Sequence, residues 1–477
     1  MAGNPKSQRI RDPVHNLIEF GSDELEHTLW SIIQTRPFQR LRRIRQLGFS
    51  EFVFPGATHT RFSHSVGVFH TARQLLAAIK RFSEAHGVQF KDSATPKVLV
   101  AALVHDVGHG MFSHAFEEIG RQLDLPMAHH EYVSDLLIKD SEIANLLKKI
   151  SSGLPEDVAT IVKSEPSSFY HAIVNSQFDA DRLDYMQRDR LMTGVQSSGI
   201  DATWLMANLE IETISIGTDD AKVGSVETLV LGPKAFHAAE SYVLSLFQLY
   251  PNVYFHKTTR GAEKLFCALM LQIIALVRDG HFDKTGLPKN HPICQFAFEP
   301  DKLTNALALD DQVFWGALPM MTEAEDTLVR LSAYSLRERK LPKCIDIQKL
   351  VEQKLPGNPG SDTSTERAAQ VRLTCQAIVR DLKAAAKSRS SAEPPIMVDQ
   401  ASRTPYKKFQ GPHSPLNQIR IKRHGQVLDM AQISPVVASA ETFEVYRAYV
   451  MADDAKGRTM VENIIETNLG RCQNVGA

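Results

Sequence analysis

Residues Val98 to Val104 form an unbroken apolar run that ends on His105-Asp106-Val107-Gly108-His109-Gly110. Such a run is buried on every side, as a core strand or a core helix. A helix fits better, because the run follows Asp92-Ser93-Ala94-Thr95-Pro96, a start signal with proline near the first turn. The most buried segment of the chain therefore delivers a histidine and an aspartate side by side. Together they offer one nitrogen and one oxygen ligand to a single divalent ion. Successive helical residues differ by ~100° about the axis, so both reach one ion only near a helix end. Gly108 and Gly110 just beyond permit close approach of backbone and substrate.

A His-Asp pair is common by chance and gains weight from its neighbours. His64 stands upstream in Arg61-Phe62-Ser63-His64-Ser65, and Asp181 downstream in Phe178-Asp179-Ala180-Asp181-Arg182-Leu183-Asp184-Tyr185. His64, His105, Asp106 and Asp181 are the expected ligands of one divalent ion, with open positions left for water and substrate. Two imidazoles and two carboxylates suit Mn, Fe, Zn, Co or Mg alike. The five cysteines are widely spaced, without a C-x-x-C pair. That argues against a disulfide framework or a cysteine zinc site and fits a reducing cytoplasm.

Most of residues 22–200 reads as helix: Phe38, Leu41, Ile44 and Leu47 recur at helical spacing, as do Val66, Phe69, Ala72 and Leu75. Glu131 to Ile138 and Glu142 to Ile150 continue the pattern. Alternation at Ile211 to Gly217 and Val226 to Leu231, around Asp219-Asp220, predicts an inserted β-hairpin. Helices resume from Ala235 to about Phe255, from Gly261 to Arg278 and around Leu328 to Leu336, before an extended segment from Lys340 to Ile347. Pro356-Gly357-Asn358-Pro359-Gly360-Ser361 is the clearest loop signal. A polar helix from Glu366 to Lys387, a linker from Ser388 to Pro395, strand-like Ile396 to Val398 and Gln418 to Lys422, and a helix from Ala440 to about Met451 follow. The fold expected is mainly α, with a helical core, a small inserted hairpin and a C-terminal α+β lobe. The expected division is an N-terminal segment 1–50 with oligomer or regulatory contacts, a core at 51–355, a linker with polar helix at 356–395 and a lobe at 396–477.

A net charge of −1 excludes a global field toward nucleic acid or membrane. No apolar run approaches the ~20 residues of a membrane span, and Met1 to Lys6 lacks the apolar centre of a signal peptide.

Arg61 to Ser65, His105 to Gly110, Phe112-Ser113-His114 and Asp181 to Tyr185 resemble the HD superfamily of metal-dependent phosphohydrolases. More narrowly, they resemble its deoxynucleoside triphosphate (dNTP) triphosphohydrolases, including the animal enzymes that join a sterile alpha motif to an HD domain. Asp12-Pro13-Val14-His15, Phe38 to Arg42, Phe54 to Ala57, Tyr254 to Lys257 and Ile419-Arg420-Ile421 extend the likeness, and no sterile alpha motif precedes them. The resemblance implies a helical HD core and a reaction in which water attacks the α-phosphorus of a dNTP, releasing deoxynucleoside and intact triphosphate.

Several residues suit that chemistry. Arg61 precedes His64 by one turn and Arg182 follows Asp181, so both are placed to meet phosphate oxygens. Lys257, with His256, is expected to arrive from a later helix. His114, Glu117 and His130 are the acid–base candidates, Glu117 three residues on from His114 and able to orient it. The family usually has Asp where this chain has Glu117. Tyr185 and Asp189 lie on one stripe after Asp181, and the resemblance sets them against the sugar, with Tyr254 closing over the deoxyribose. His109 is expected to support the ligands, whereas His70 could support them or pack.

Arg36, Arg40, Arg42, Arg43 and Arg45 form a basic cluster that charge patterning alone reads as a solvated face. From the resemblance, Gln39 and Arg42 belong to an allosteric nucleotide site at a subunit interface of a tetramer or other homo-oligomer. Gln34 stands where the animal enzymes have a guanine-reading aspartate, and Asn417 where they have an arginine. An amide cannot accept twice as a carboxylate does, which argues against activation by GTP specifically. Expected partners are a dNTP substrate and a nucleotide activator, with neither membrane nor nucleic acid. The alternative reading is an HD-type phosphohydrolase acting on nucleoside monophosphates, cyclic nucleotides or single-stranded nucleic acid.

Overall fold

The computed structural model describes residues 6–218, 221–355, 364–390, 393–407 and 415–475. The predicted loop Pro356 to Ser361, the turn pair Asp219-Asp220 and the residues before Lys6 lie outside them. The fold is mainly α with small sheets.

The chain enters through a hairpin, β1 (Gln8–Asp12) and β2 (Asn16–Phe20), which sequence periodicity does not reveal. The helices that build the site follow: α1 (Arg61–His86), α2 (Thr95–Val104), α3 (His114–Leu123), α4 (His130–Lys139) and α5 (Ala180–Thr193). α2 is the expected core helix, and every residue from Val98 to Val104 is buried. It packs with α1, α5 and the first hairpin in one apolar cluster.

The predicted inserted hairpin is β3 (Leu209–Thr218) and β4 (Ala221–Leu231). Its partner comes from far along the chain. β7 (Arg420–Arg423) pairs in parallel with β4 through Ile421 and Leu231, and β8 (Gln426–Asp429) completes the order β3-β4-β7-β8. Next come α6 (Phe236–Leu249), a π-helical turn at Tyr250–Tyr254, and α7 (Lys257–Arg278). α7 centres a second core that also takes α8 (Asp311–Met321) and Thr327–Arg337.

A third core holds the remaining sheet, ordered β5 (Lys343–Asp346), β9 (Phe443–Val450) and β6 (Met397–Arg403), all antiparallel. The helix α9 (Ser364–Ser388), polar in sequence, buries Cys375, Ile378, Val379 and Leu382 against this sheet, while α10 (Ala455–Val475) adds Val461, Ile465 and Leu469.

Two expectations are corrected. The segment predicted as helix from Ala440 to Met451 is the central strand β9, and the helix begins at Ala455. β9 pairs on both edges and is largely buried on both faces, which removes the alternation that would have marked a strand. The run from Phe38 to Leu47 is helical only through Arg43; Ile44 is extended and Arg45 bridges Thr60. There the Arg45 N–H goes to Asp311 and the Ile44 carbonyl accepts from Arg61, so tertiary bonds replace the helical ones.

Candidate active site

α2 ends at Val104, so the His105-Asp106 pair lies in the turn beyond a buried helix end. His105 Nδ1 donates to Ala102 O at 2.9 Å, which leaves the Nε2 lone pair directed away from its own helix. That Nε2 is buried and has no hydrogen-bond partner among the described residues. Gly108 follows where a Cβ would lie 2.4 Å from both His130 O and Ser134 N, so only glycine lets this turn seat on the start of α4.

α1 crosses α5 just as tightly. A Cβ on Gly67 would lie 2.0 Å from Asp184 Oδ1 and 2.3 Å from Arg188 Nη2. The close crossing brings His64 to Asp181, with Nε2 3.0 Å from Asp181 Oδ1 and 3.7 Å from Asp106 Oδ2. His105 Nε2 lies 3.4 Å from Asp106 Oδ1 and 3.8 Å from Asp181 Oδ1. Ligands around an ion with ~2.1 Å bonds are ~3.0–3.4 Å apart. His64, His105 and Asp181 meet as one group, each offering a ligand atom within 4.8 Å of the others. Asp106 borders this group without being part of it, its carboxylate engaged by the Arg61 guanidinium on Oδ2 and by His109 Nε2 at 3.3 Å from Oδ1. The orphaned Nε2 of His105 and the mixed nitrogen and oxygen donors fit a divalent cation.

Charge favours the same conclusion. Burial by itself would lower the pKa of His64, but its bonds to Asp181 and Asp184 push it up to about 10. A field that holds a proton there also draws a metal cation. Asp106 is penalised by burial, yet Arg61, His105 and His109 hold it well below the ordinary carboxylate range.

Behind the ligands is a network only partly visible in the sequence. Asp184, fully buried, accepts from His64 Nδ1 at 2.8 Å, His15 Nε2 at 2.7 Å and Arg188 Nε and Nη2 at 2.9 Å each. Arg188 then reaches Asp12 through Nη1 at 2.7 Å. Asp12 ends β1 and His15 sits in the β1–β2 turn, 169 residues before Asp184. The Asp184 position shares the Asp181 motif, but nothing local announces His15 as its partner. His70 lies against His15, ring centroids 4.9 Å apart, and does not reach the ligands.

A second ionisable group stands beside the first. Glu117 accepts from His114 Nδ1 at 3.0 Å and from His130 Nδ1. His130 stacks on His109 with centroids 3.9 Å apart. Burial would raise the Glu117 carboxyl, but these imidazoles hold it far below its usual range and keep it ionised. The three atoms offered by His109, Glu117 and His130 also lie within 4.8 Å of one another. The longer arm of glutamate reaches both imidazoles, while the His114 side chain is 71% exposed and faces the cavity.

That cavity, of about 420 Å³, opens from Asp181 and His114 and is walled by Arg61, Arg182, Tyr185 and Asp189. Asp189 is held by His59 Nε2 at 2.8 Å and Tyr254 Oη at 2.8 Å. Arg61 also donates to Ser113 Oγ at 2.7 Å, and Arg182 bonds Asp179 and the Ser176 carbonyl. Lys257 is not brought to this wall. The His256 side chain caps α7 by accepting from Thr258 N, leaving Lys257 exposed on the first turn. Arg260 and Arg403 line the cavity in its place. Gln39 and Arg42 lie apart from it, bonded to each other at 2.9 Å, with Arg42 3.5 Å over the Phe62 ring. Gln34 is exposed, and Asn417 is buried, donating to Glu165 at 3.0 Å.

Residues 61–191 match the HD domain family. The uncharacterized protein YwfO of Bacillus subtilis is 31% identical over 323 residues, covering 67% of each chain. This chain is a member of the HD-domain family. The deoxynucleoside triphosphate triphosphohydrolase SAMHD1 of Xenopus laevis is 33% identical over 226 residues, 40% of this HD protein and 35% of that one. The HD protein thus spans about a third of this animal relative. Among solved structures, a phosphohydrolase from Bacteroides thetaiotaomicron superposes with a TM-score of 0.67 at 24% identity, covering 93% of this chain and 99% of that one. The first residue of the HD match is Arg61 and its last turn includes Asp189, so the match spans the four expected ligands. It stops short of Asp12, His15, Asp311 and Arg403.

Proposed function

We propose that this HD protein is a metal-dependent phosphohydrolase that cleaves dNTPs to deoxynucleoside and inorganic triphosphate. The observation that carries the reading is the cavity, which Asp181 of the His64–His105–Asp181 group lines together with basic side chains and the Tyr254–Asp189 pair. Its volume suits a nucleotide-sized ligand. Relatives in Xenopus laevis and Gallus gallus carry the name of that activity.

His64, His105, Asp106 and Asp181 would hold the ion, which when bound supplies Lewis acidity at a phosphoryl oxygen and a more acidic water. Arg61 and Arg182 neutralise the triphosphate in a fixed orientation. Water attacks the α-phosphorus; the new bond is from water oxygen to phosphorus, and the bond that breaks is from phosphorus to O5′. His114, held at Nδ1 by ionised Glu117 and aided by the neighbouring His130, gives a proton to the departing O5′. Asp189, fixed by His59 and Tyr254, meets the sugar 3′ hydroxyl, and the Tyr185 and Tyr254 rings, 6.2 Å apart, enclose the sugar.

Gln39 and Arg42 carry the regulatory part of the proposal, a nucleotide contact at the interface of a homo-oligomer. No described helix is long and apolar enough to cross a membrane. Each dNTP, alone and in pairs, is incubated with Mn, Mg, Co, Fe or Zn, and deoxynucleoside and triphosphate are followed by chromatography. Triphosphate release, abolished in Asp181→Ala with helical circular dichroism retained, supports the proposal. Orthophosphate or monophosphate release from every dNTP refutes it and favours the alternative substrates.

A further inference from the structure

Four arginines line the cavity, and three are already committed to carboxylates: Arg61 to Asp106, Arg182 to Asp179, and Arg260 to Glu263 and Asp399. Arg403 is different. Among the described residues it has no ion pair; its guanidinium lies 5.2 Å from the Tyr250 ring, on the turn that carries Tyr254. It is half-buried and belongs to β6, in the C-terminal lobe outside the HD match.

Its position is built. Alternate residues of a strand share a face, and on β6 the inward set is Met397, Asp399, Ala401 and Arg403. Asp399 on that face is fully buried, accepting from Arg260 Nε at 3.0 Å, with Lys264 3.5 Å away. This anchor fixes the strand against α7 and sets Arg403 at the cavity wall. Arg182 and Arg403 also line one narrow crevice together with Lys407, so the two arginines are near neighbours. A triphosphate carries about four negative charges, and arginine forks match phosphate oxygens.

We infer that Arg403 is the contact for the distal phosphates of the substrate, so that the C-terminal lobe selects nucleoside triphosphates over monophosphates. The inference rests on the triphosphohydrolase reading and adds a lobe-borne determinant of chain length. An uncommitted guanidinium is the group free to take a new anion without first breaking an ion pair.

The test is binding of inorganic tripolyphosphate and of inorganic phosphate to the metal-loaded full chain, by calorimetry, in wild type, Arg403→Ala and Arg403→Lys. Arg403→Ala is expected to weaken tripolyphosphate about 10- to 100-fold and orthophosphate less than about twofold, with metal content unchanged. Arg403→Lys restores the charge without the fork and falls between them. In turnover, KM for dNTP rises by the same factor while kcat changes less than about threefold. Should Arg403→Ala fold poorly, Arg403→Lys and Arg403→Gln carry the comparison. Wild-type tripolyphosphate affinity and KM in both folded variants overturn the inference, whatever the enzyme hydrolyses. If wild type releases no triphosphate from any dNTP but its tripolyphosphate affinity depends on Arg403, the function falls and the polyphosphate contact stands.

Discussion

Asp184 Oδ2 accepts the Nδ1–H of His64 at 2.8 Å, and this bond directs His64 Nε2 at Asp181. A carboxylate behind a ligating imidazole sets its tautomer and raises its basicity. Asp184→Asn keeps the volume but loses the negative charge that serves His64, His15 and Arg188 together. Metal affinity, measured by titration with Mn or Zn, is expected to fall about 10- to 100-fold. Asp184→Ala, which leaves buried Arg188 short of a partner, lowers unfolding stability by about 3–5 kcal/mol as well. Undiminished metal affinity in a folded Asp184→Asn protein would remove the support role.

Asp311 is expected to act on turnover from outside the HD match. Its Oδ1 accepts from Phe112 N and its Oδ2 from Arg45 N, each at 2.7 Å. Phe112 and Ser113 hold positive φ of 51° and 54°, which non-glycine residues adopt at a cost of about 1–3 kcal/mol. The bonds from Asp311 offset that strain and set Ser113 and His114 at the cavity. Asp311→Asn retains one acceptor and turns an amide NH₂ toward a backbone N–H. Stability should drop by about 1–3 kcal/mol, and kcat by about tenfold, with metal content unchanged. Urea unfolding and single-turnover kinetics check both.

Acid should loosen the lobe through Asp399. Burial would raise this carboxyl, but the Arg260 hydrogen bonds and the charges of Arg260 and Lys264 hold it below its ordinary value. A lowered carboxylate pKa means the unfolded chain binds the proton more readily. The stabilisation is present above the unfolded pKa and is lost as pH falls through the folded one. Thermal unfolding from pH 7 down to pH 3 should show a steep acid limb in wild type and a flatter one in Asp399→Asn. Equal slopes would mean that this pair does not govern acid stability.

The legible and illegible parts of the site divide by chemistry. His105-Asp106 was readable because an unbroken apolar run after a helix-start signal located the helix that carries it, and His64 and Asp181 stood in their motifs. Lys257, expected from a later helix, lies exposed on the first turn of α7 and does not line the cavity, because the π-helical turn at Tyr250–Tyr254 and the His256 cap set how that turn is presented. β9 was read as a helix because a strand buried on both faces has no alternation. His59, Arg260 and Arg403 carry no local signal, and the motif that holds His15 does not name its partner, since each gains its place from a contact more than a hundred residues away.

What the sequence by itself determined was the set of local elements and the donor atoms they bear: a core helix ending in His-Asp, a second histidine one turn into α1, and an aspartate opening α5. Backbone periodicity and side-chain chemistry are properties of neighbours in the chain. The tertiary structure alone decided which of those donors meet, through Gly67 and Gly108 letting elements approach within a Cβ radius. It also decided which of the cavity arginines has no ion pair among the described residues. An ion pair depends on distance, and distance is set only when the whole chain has packed.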